Sequence, residues 1–293
     1  MRPIRKLYFQ NAAGDRRGLN GESGAYATSL SGFGFSLDPD FSDLGRGFFP
    51  AVNTDNEPQN HLAFTIVLTR GAYEAHQALM DWLAAAGSLT MVYNPTGKRE
   101  YCRDVSINFI TKGELNQVGW LELPCSLFCL TPWYLPSPTS LSVAGTGQDE
   151  SKRYSYRYGK SLSYGADSTG ALKAIIAGAG HIPGALDLSF RGAIVNPQIR
   201  LTGNATGKTY GICKMDVTLE STDLLEFSTR YENSYARKIA ADGTQTDLLD
   251  ALDLSKTPFF HIPVDEPCTL LVESDAPIVG RVNLLIYYYY RSV

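Results

Sequence analysis

Seven residues in the second half of the chain, Gly203-Asn204-Ala205-Thr206-Gly207-Lys208-Thr209, come nearest to a recognisable piece of chemistry. A phosphate-cradling loop needs four residues between its glycines ahead of Gly-Lys-Thr, and a helix N-terminus behind it to face the anion. Only Asn204, Ala205 and Thr206 separate the glycines here, and Tyr210-Gly211-Ile212-Cys213 reads as strand. A hairpin turn is therefore expected, with no nucleotide cofactor. Cys125 and Cys129, with Cys102 nearby, offer thiolates for a metal. They share the face of Leu121, Leu123 and Leu127, and four residues of strand set them roughly 13 Å apart. Two bonds of about 2.3 Å to one zinc cannot span that gap. Small core residues are expected.

The remaining candidates are weaker. His61, His76, His181 and His261 are scattered, and none sits in a ligand or nucleophile motif. Asp38, Asp40 and Asp43 are spaced as a calcium loop begins, but the glycine and the closing bidentate glutamate are missing, so a turn before Phe48-Phe49 is expected. Arg153-Tyr154-Ser155-Tyr156-Arg157-Tyr158 interleaves cations with aromatics as a single-stranded nucleic-acid platform does. On a strand the three tyrosines line one face and the arginines the other, an ordinary half-buried pattern. No Gly-x-Ser-x-Gly occurs, and no carboxylate pair is singled out for glycoside hydrolysis. The expectation is a protein without catalytic, cofactor-binding or metal-binding residues, hence not an enzyme.

The elements that would position any site are mostly strands. Leu62, Phe64, Ile66 and Leu68 alternate with smaller or polar neighbours, which is period two. Ala72, Ala75, Leu79, Trp82, Leu83 and Ala86 fall at helical spacing, so one amphipathic helix is expected over 72–86, capped by Thr69 and ended by Gly87. Period two returns at Leu89 to Tyr93, turns at Asn94-Pro95-Thr96-Gly97, and continues through Val105, Ile107 and Phe109 and from Val118 to Leu130. Between Thr131 and Arg153 periodicity fades into Pro132, Pro136, Pro138, Gly145 and Gly147, which marks a boundary. Beyond it short strands recur at Tyr154–Tyr158, Leu172–Ile176, Ala185–Phe190, Gln198–Leu201, Tyr210–Leu219 and Leu224–Ser228. The series ends with Ala236–Ala240, Phe259–Ile262, Cys268–Glu273 and Val282–Tyr290, and Asp247 to Leu254 suits one short helical turn. Residues 1–135 are expected to form one domain, 136–153 a linker and 154–293 a β-sandwich or jelly roll.

Composition agrees with a mainly β chain. Of 293 residues 44% are hydrophobic and 19% charged, enough apolar surface for two cores, and the 27 glycines, 17 tyrosines and 13 phenylalanines suit many turns between aromatic strands. A net charge of −4 supplies no basic footprint for nucleic acid. Five widely spaced cysteines make no disulfide framework and suit a reducing compartment. The basic start is followed by too short an apolar run for a signal peptide, and Leu284 to Tyr290 is too short to cross a membrane, so a soluble chain is expected.

Four stretches carry a resemblance: Arg5 to Asn11 (RKLYFQN), Leu123 to Tyr134 (LPCSLFCLTPWY), Asn196 to Gly203 (NPQIRLTG) and Ser274-Asp275-Ala276-Pro277 before the last strand. In order and spacing the chain resembles the distal tail (Dit) proteins of siphophage-type prophages of Gram-positive bacteria. That resemblance implies an N-terminal β-sandwich or split-barrel with one packed helix, which forms a hexameric ring continuing the tail tube, and a galectin-like sandwich outside it. It implies as partners further copies of the chain, the tail tube protein, a tail-tip hub or tail-associated protein and a receptor-binding protein, at the virion tail tip. No sequence-specific nucleic acid and no membrane insertion are expected. Two polar stretches, Asn53–Asn60 and Gly113–Gly119, are candidates for loops that fold against neighbours.

Two rivals compete with a structural ring. One is a carbohydrate-binding adhesion module for host glycans, with Tyr231, Tyr235 or Tyr287 to Tyr290 replacing the tryptophan of galectin sites, since Trp82, Trp120 and Trp133 all precede the boundary. Alternation puts Tyr288 and Tyr290 inward with Val282, Leu284 and Ile286. The other is a carbohydrate-active enzyme on a jelly-roll scaffold, which needs two acidic residues that nothing in the sequence picks out.

Overall fold

The computed structural model describes residues 5–34, 41–43, 48–50, 61–143 and 171–293. Two compact units divide the chain: unit 1 is Met1–Leu135 with Tyr289–Val293, and unit 2 is Pro136–Tyr288. The strand pairs of the described residues are antiparallel, and the described residues hold a single α-helix. The chain is mainly β, as its composition implies.

Unit 1 is built from β1 Lys6–Asn11, β2 Arg16–Gly18, β3 Ala25–Ser31, β4 Phe41–Asp43, β5 Phe48–Pro50, β6 His61–Leu68, α1 Ala72–Ala84, β7 Leu89–Asn94, β8 Tyr101–Ile110, β9 Leu121–Cys129 and β10 Trp133–Thr139. Its sheet runs β2-β1-β7-β8-β9-β6-β3, with β10 meeting β8 at Tyr134 and Cys102. The period-two residues Leu62, Phe64, Ile66, Leu121, Leu123 and Leu127 all face the core. The expected helix is two residues shorter at its C-terminal end, and Gly87, at φ +70°, turns the chain away from it. Thr69 is not its cap: Gly71 holds that position without a side-chain bond, and the Thr69 hydroxyl donates instead to the Gly24 carbonyl at 3.0 Å. The expected strand from Val118 begins only at Leu121, because residues 113–120 form a hairpin loop.

Unit 2 holds β11 Ser142–Val143, β12 Ala171–Ile176, β13 Ile182–Val195, β14 Gln198–Gly203, β15 Thr209–Lys214, β16 Thr218–Leu219, β17 Leu224–Arg230, β18 Asn233–Ile239, β19 Gln245–Asp247, β20 Cys268–Glu273 and β21 Val279–Tyr290. One sheet runs β11-β12-β20-β14-β15 and the other β19-β18-β17-β13-β21, with β16 beside β13. Ile176, Leu201 and Leu270 of the first close on Leu188, Phe227 and Ile286 of the second, so the core lies between two layers, a β-sandwich. The helical turn expected at 247–254 is the 3₁₀ turn Leu249–Ala251. Tyr210–Leu219 is two strands rather than one. Phe259–Ile262 is not a strand either: apart from a bridge of Ile262 to Gly184 it lies across β15, where buried Phe260 covers Gly211. Its apolar pattern records burial, not pairing. The strand expected at Tyr154–Tyr158 lies outside the described residues.

Tyr289–Val293 return to unit 1. Tyr289 is fully buried beside Tyr134, with ring centroids 6.2 Å apart, Tyr290 meets Tyr101 edge-on at 5.4 Å, and Val293 packs on the unit 1 core. Tyr288 packs on the unit 2 core, as alternation implies, but Tyr290 does not join it there and the more buried rings are Tyr287 and Tyr289.

Candidate interaction surface

The phosphate-loop look-alike is the β14–β15 turn, and its anion is the chain's own. The Glu266 carboxylate, only 5% exposed, accepts from the backbone N–H groups of Ala205 and Thr206 at 3.0 and 3.1 Å and from the Thr206 hydroxyl at 2.8 Å. The Tyr210 hydroxyl also donates to it. These donors stabilise the charged form, led by Tyr210, and hold the carboxyl down at about 2. The same bond pushes the Tyr210 phenol up to about 12. Gly203 is required, since a Cβ there would overlap the carboxylate.

The other candidates resolve into packing. Cys125 and Cys129 are buried on β9, and burial pushes the Cys102, Cys125 and Cys213 thiols up to about 12. Among the described residues no three His, Cys, Asp or Glu side chains gather as metal ligands. His61 packs on Phe128 at 4.7 Å and His261 on Tyr231 at 4.0 Å, while His76, half-buried on α1, is lowered by burial and by Lys112. Asp38 and Asp40, Asn53–Asn60 and Arg153–Tyr158 lie outside the described residues, and Asp43 ends the short strand β4. No described helix is long and apolar enough to cross a membrane.

The tyrosines considered for sugar stacking are engaged. Tyr231 carries His261 on its ring and donates to the Pro183 carbonyl at 3.1 Å; the Arg237 guanidinium covers Tyr235 at 4.6 Å; Arg230 covers Tyr287 at 4.8 Å, whose hydroxyl donates to Asp187 at 2.7 Å. A pyranose would have to displace these partners before stacking.

The motifs that carried the resemblance prove to be fasteners. Arg103 Nε donates to the Thr131 carbonyl at 2.7 Å, Asp104 N–H to the Thr131 hydroxyl at 3.0 Å, and the Tyr134 hydroxyl to Asp104 at 2.8 Å, while Arg103 lies over the buried Trp133 ring at 5.6 Å. Thr131-Pro132-Trp133-Tyr134 thus locks β10 onto β8. Two more of the four stretches meet in space: Asn196, at φ +47°, donates to Asp275 at 2.8 Å, and the Ser274 hydroxyl donates to the Val195 carbonyl at 2.8 Å. Residues 79 apart in sequence thereby close one corner of unit 2.

What remains for function is surface, and one part of it stands out. Past Val105, β8 has β9 on one side and no paired strand on the other among the described residues. Ser106, Ile107, Asn108 and Phe109 are exposed on both faces of this edge, with a register shift between Ile107 and Phe109. The hairpin loop that follows presents Leu115, Val118 and Trp120, exposed by 41, 67 and 37%. It is not loose. The Asn116 side-chain oxygen accepts from the Val118 and Trp120 N–H groups at 3.1 and 3.0 Å, Asn116 N–H donates to the Trp120 carbonyl at 2.9 Å, and Leu115 bridges Leu121. Trp120 meets Tyr26 edge-on at 6.3 Å, and exposed Tyr73 donates to Glu114 under Lys112. Apolar and aromatic side chains on an ordered tip lose little entropy on docking, the pattern of a protein interface. Sequence had flagged Gly113–Gly119 for this role through its polarity; the informative residues are the apolar ones between.

Residues 6–130 match the family model described as the distal tail protein, N-terminal domain. Among solved structures the chain is similar to a chain of the phage P2 baseplate in its activated conformation with calcium, at 13% identity and a TM-score of 0.68, covering 99% of this chain and 100% of that one. The same figures hold for that baseplate with strontium. The phage SPP1 Dit protein, described as a paradigm of the hub adsorption apparatus in phages infecting Gram-positive bacteria, is similar at 10% identity and a TM-score of 0.56, covering 96% of this chain and 98% of that one. At such identities the likeness is one of fold. A comparison with curated protein sequences finds no match.

Proposed function

We propose, from the match of residues 6–130 to the distal tail protein N-terminal domain, that the chain is a structural component of the distal phage tail and closes into a hexameric ring joining tail tube to tail tip. The observation that carries this reading is the ordered apolar hairpin, Leu115, Val118 and Trp120 on an Asn116-braced loop, which no described residue of its own unit covers. In this reading the work is done by shape, with no catalytic step. The tail tube protein meets one face of the ring, and a hub or tail-associated protein and a receptor-binding protein meet the rest of the assembly. A glycan-binding role for unit 2 ranks below it because Tyr231, Tyr235 and Tyr287 each already carry a histidine or arginine on the ring.

Light scattering on the full chain is the direct test. A particle near six times 32.1 kDa, with sixfold rings in negative stain, is expected, on its own or after addition of tail partners. A chain that stays solitary with those partners present refutes the ring.

A further inference from the structure

The two ends of β8 carry opposite charge. Before it, in the turn from β7, Lys98 and Arg99 are exposed, Lys6 pairs across from Asn94, and Arg16 reaches Glu100 at 2.9 Å, so four cations face one carboxylate. After it, around the apolar hairpin, Glu74, Glu114 and Glu122 stand against Arg70 and Lys112. Gly24, packed on Arg70, and the Tyr73 bond to Glu114 bring the outlying charges to that end. Ten residues of strand separate the two ends along the chain.

This polarity decides how two copies can meet. A contact that placed hairpin against hairpin would bring like charges together and cost affinity. A contact that placed the hairpin of one copy against the basic turn of the next matches charge and buries Leu115, Val118 and Trp120 under the stems of Lys98 and Arg99. Such a contact joins different patches, so it propagates in one direction and closes a ring when the rotation allows. We propose that the acidic, apolar hairpin tip at residues 113–122 docks on the basic β7–β8 turn of a second copy of this chain, and that this head-to-tail contact sets the direction of assembly. The proposal rests on the ring reading and adds to it which surfaces meet.

Paired charge reversals on the full chain test it. Lys98→Glu with Arg99→Glu makes both ends acidic; Glu114→Lys with Glu122→Lys makes both ends basic. Each variant alone should dissociate at concentrations at least about tenfold above wild type, with an unchanged thermal melt. An equimolar mixture should reassemble, since every tip then finds an opposite turn. Variants that assemble as well as wild type overturn the contact and leave the ring standing, as does a mixture that fails to rescue. Variants that keep their particle mass but no longer bind another tail protein overturn it too, assigning the hairpin to that protein. A wild type that never assembles with its partners present removes the ring reading itself.

Discussion

Glu266 shows how a residue legible as nothing in sequence can organise a loop. Its carboxyl is held at about 2 against an ordinary 4.5, so its folded form binds protons more weakly than its unfolded form. The stability this contributes is present above pH 4.5 and drains away as pH falls toward 2. Melting curves of wild type and Glu266→Gln should therefore lie apart at neutral pH, with wild type higher, and converge in that acid window. Parallel curves would mean the charge is not used. Gly203→Ala, which puts a methyl into the carboxylate, should cost about 1–3 kcal/mol in urea unfolding. Sequence identified Gly203–Thr209 correctly as a turn and not a nucleotide loop, because spacing is local information. Nothing local said that a glutamate far along the chain fills it.

Elements were legible wherever period reflected burial of one face. The alternation of Leu62, Phe64, Ile66 and Leu68 and the helical spacing from Ala72 found β6 and α1, whereas Phe259–Ile262 and the start of β9 went astray because apolar residues there serve a crossing segment and an exposed tip. Strands β1 to β3 lacked a strong period: β2 is short, and β3 carries an irregularity after Thr28. The tip gives the sharpest prediction at this scale. Trp120→Ala should shift self-association by at least about tenfold, as an exposed aromatic anchor does, while leaving unfolding within about 0.5 kcal/mol of wild type. Asn116→Ala removes the acceptor that braces the tip, and by releasing the Val118 and Trp120 N–H groups it should weaken association too, readable by sedimentation. Trp133→Ala behaves oppositely: fully buried, it should cost about 3–5 kcal/mol in chemical denaturation.

At the scale of the molecule, a two-layer sandwich after a strand-and-helix unit was foreseeable from turn spacing and the proline-rich stretch near residue 136. The return of Tyr289–Val293 to unit 1 was not, since alternation along β21 looks uniform through Tyr290. Removing residues 289–293 takes away a fully buried tyrosine and its contacts with Tyr134 and Tyr101, so the truncated chain should melt at lower temperature in unit 1 and fail to form particles in light scattering. That return has a consequence for synthesis. A ribosome delivers unit 1's last five residues only after all of unit 2 has emerged, so unit 1 stays unfinished on every nascent or prematurely terminated chain. A chain broken off anywhere within unit 2 therefore lacks the strand end that closes unit 1.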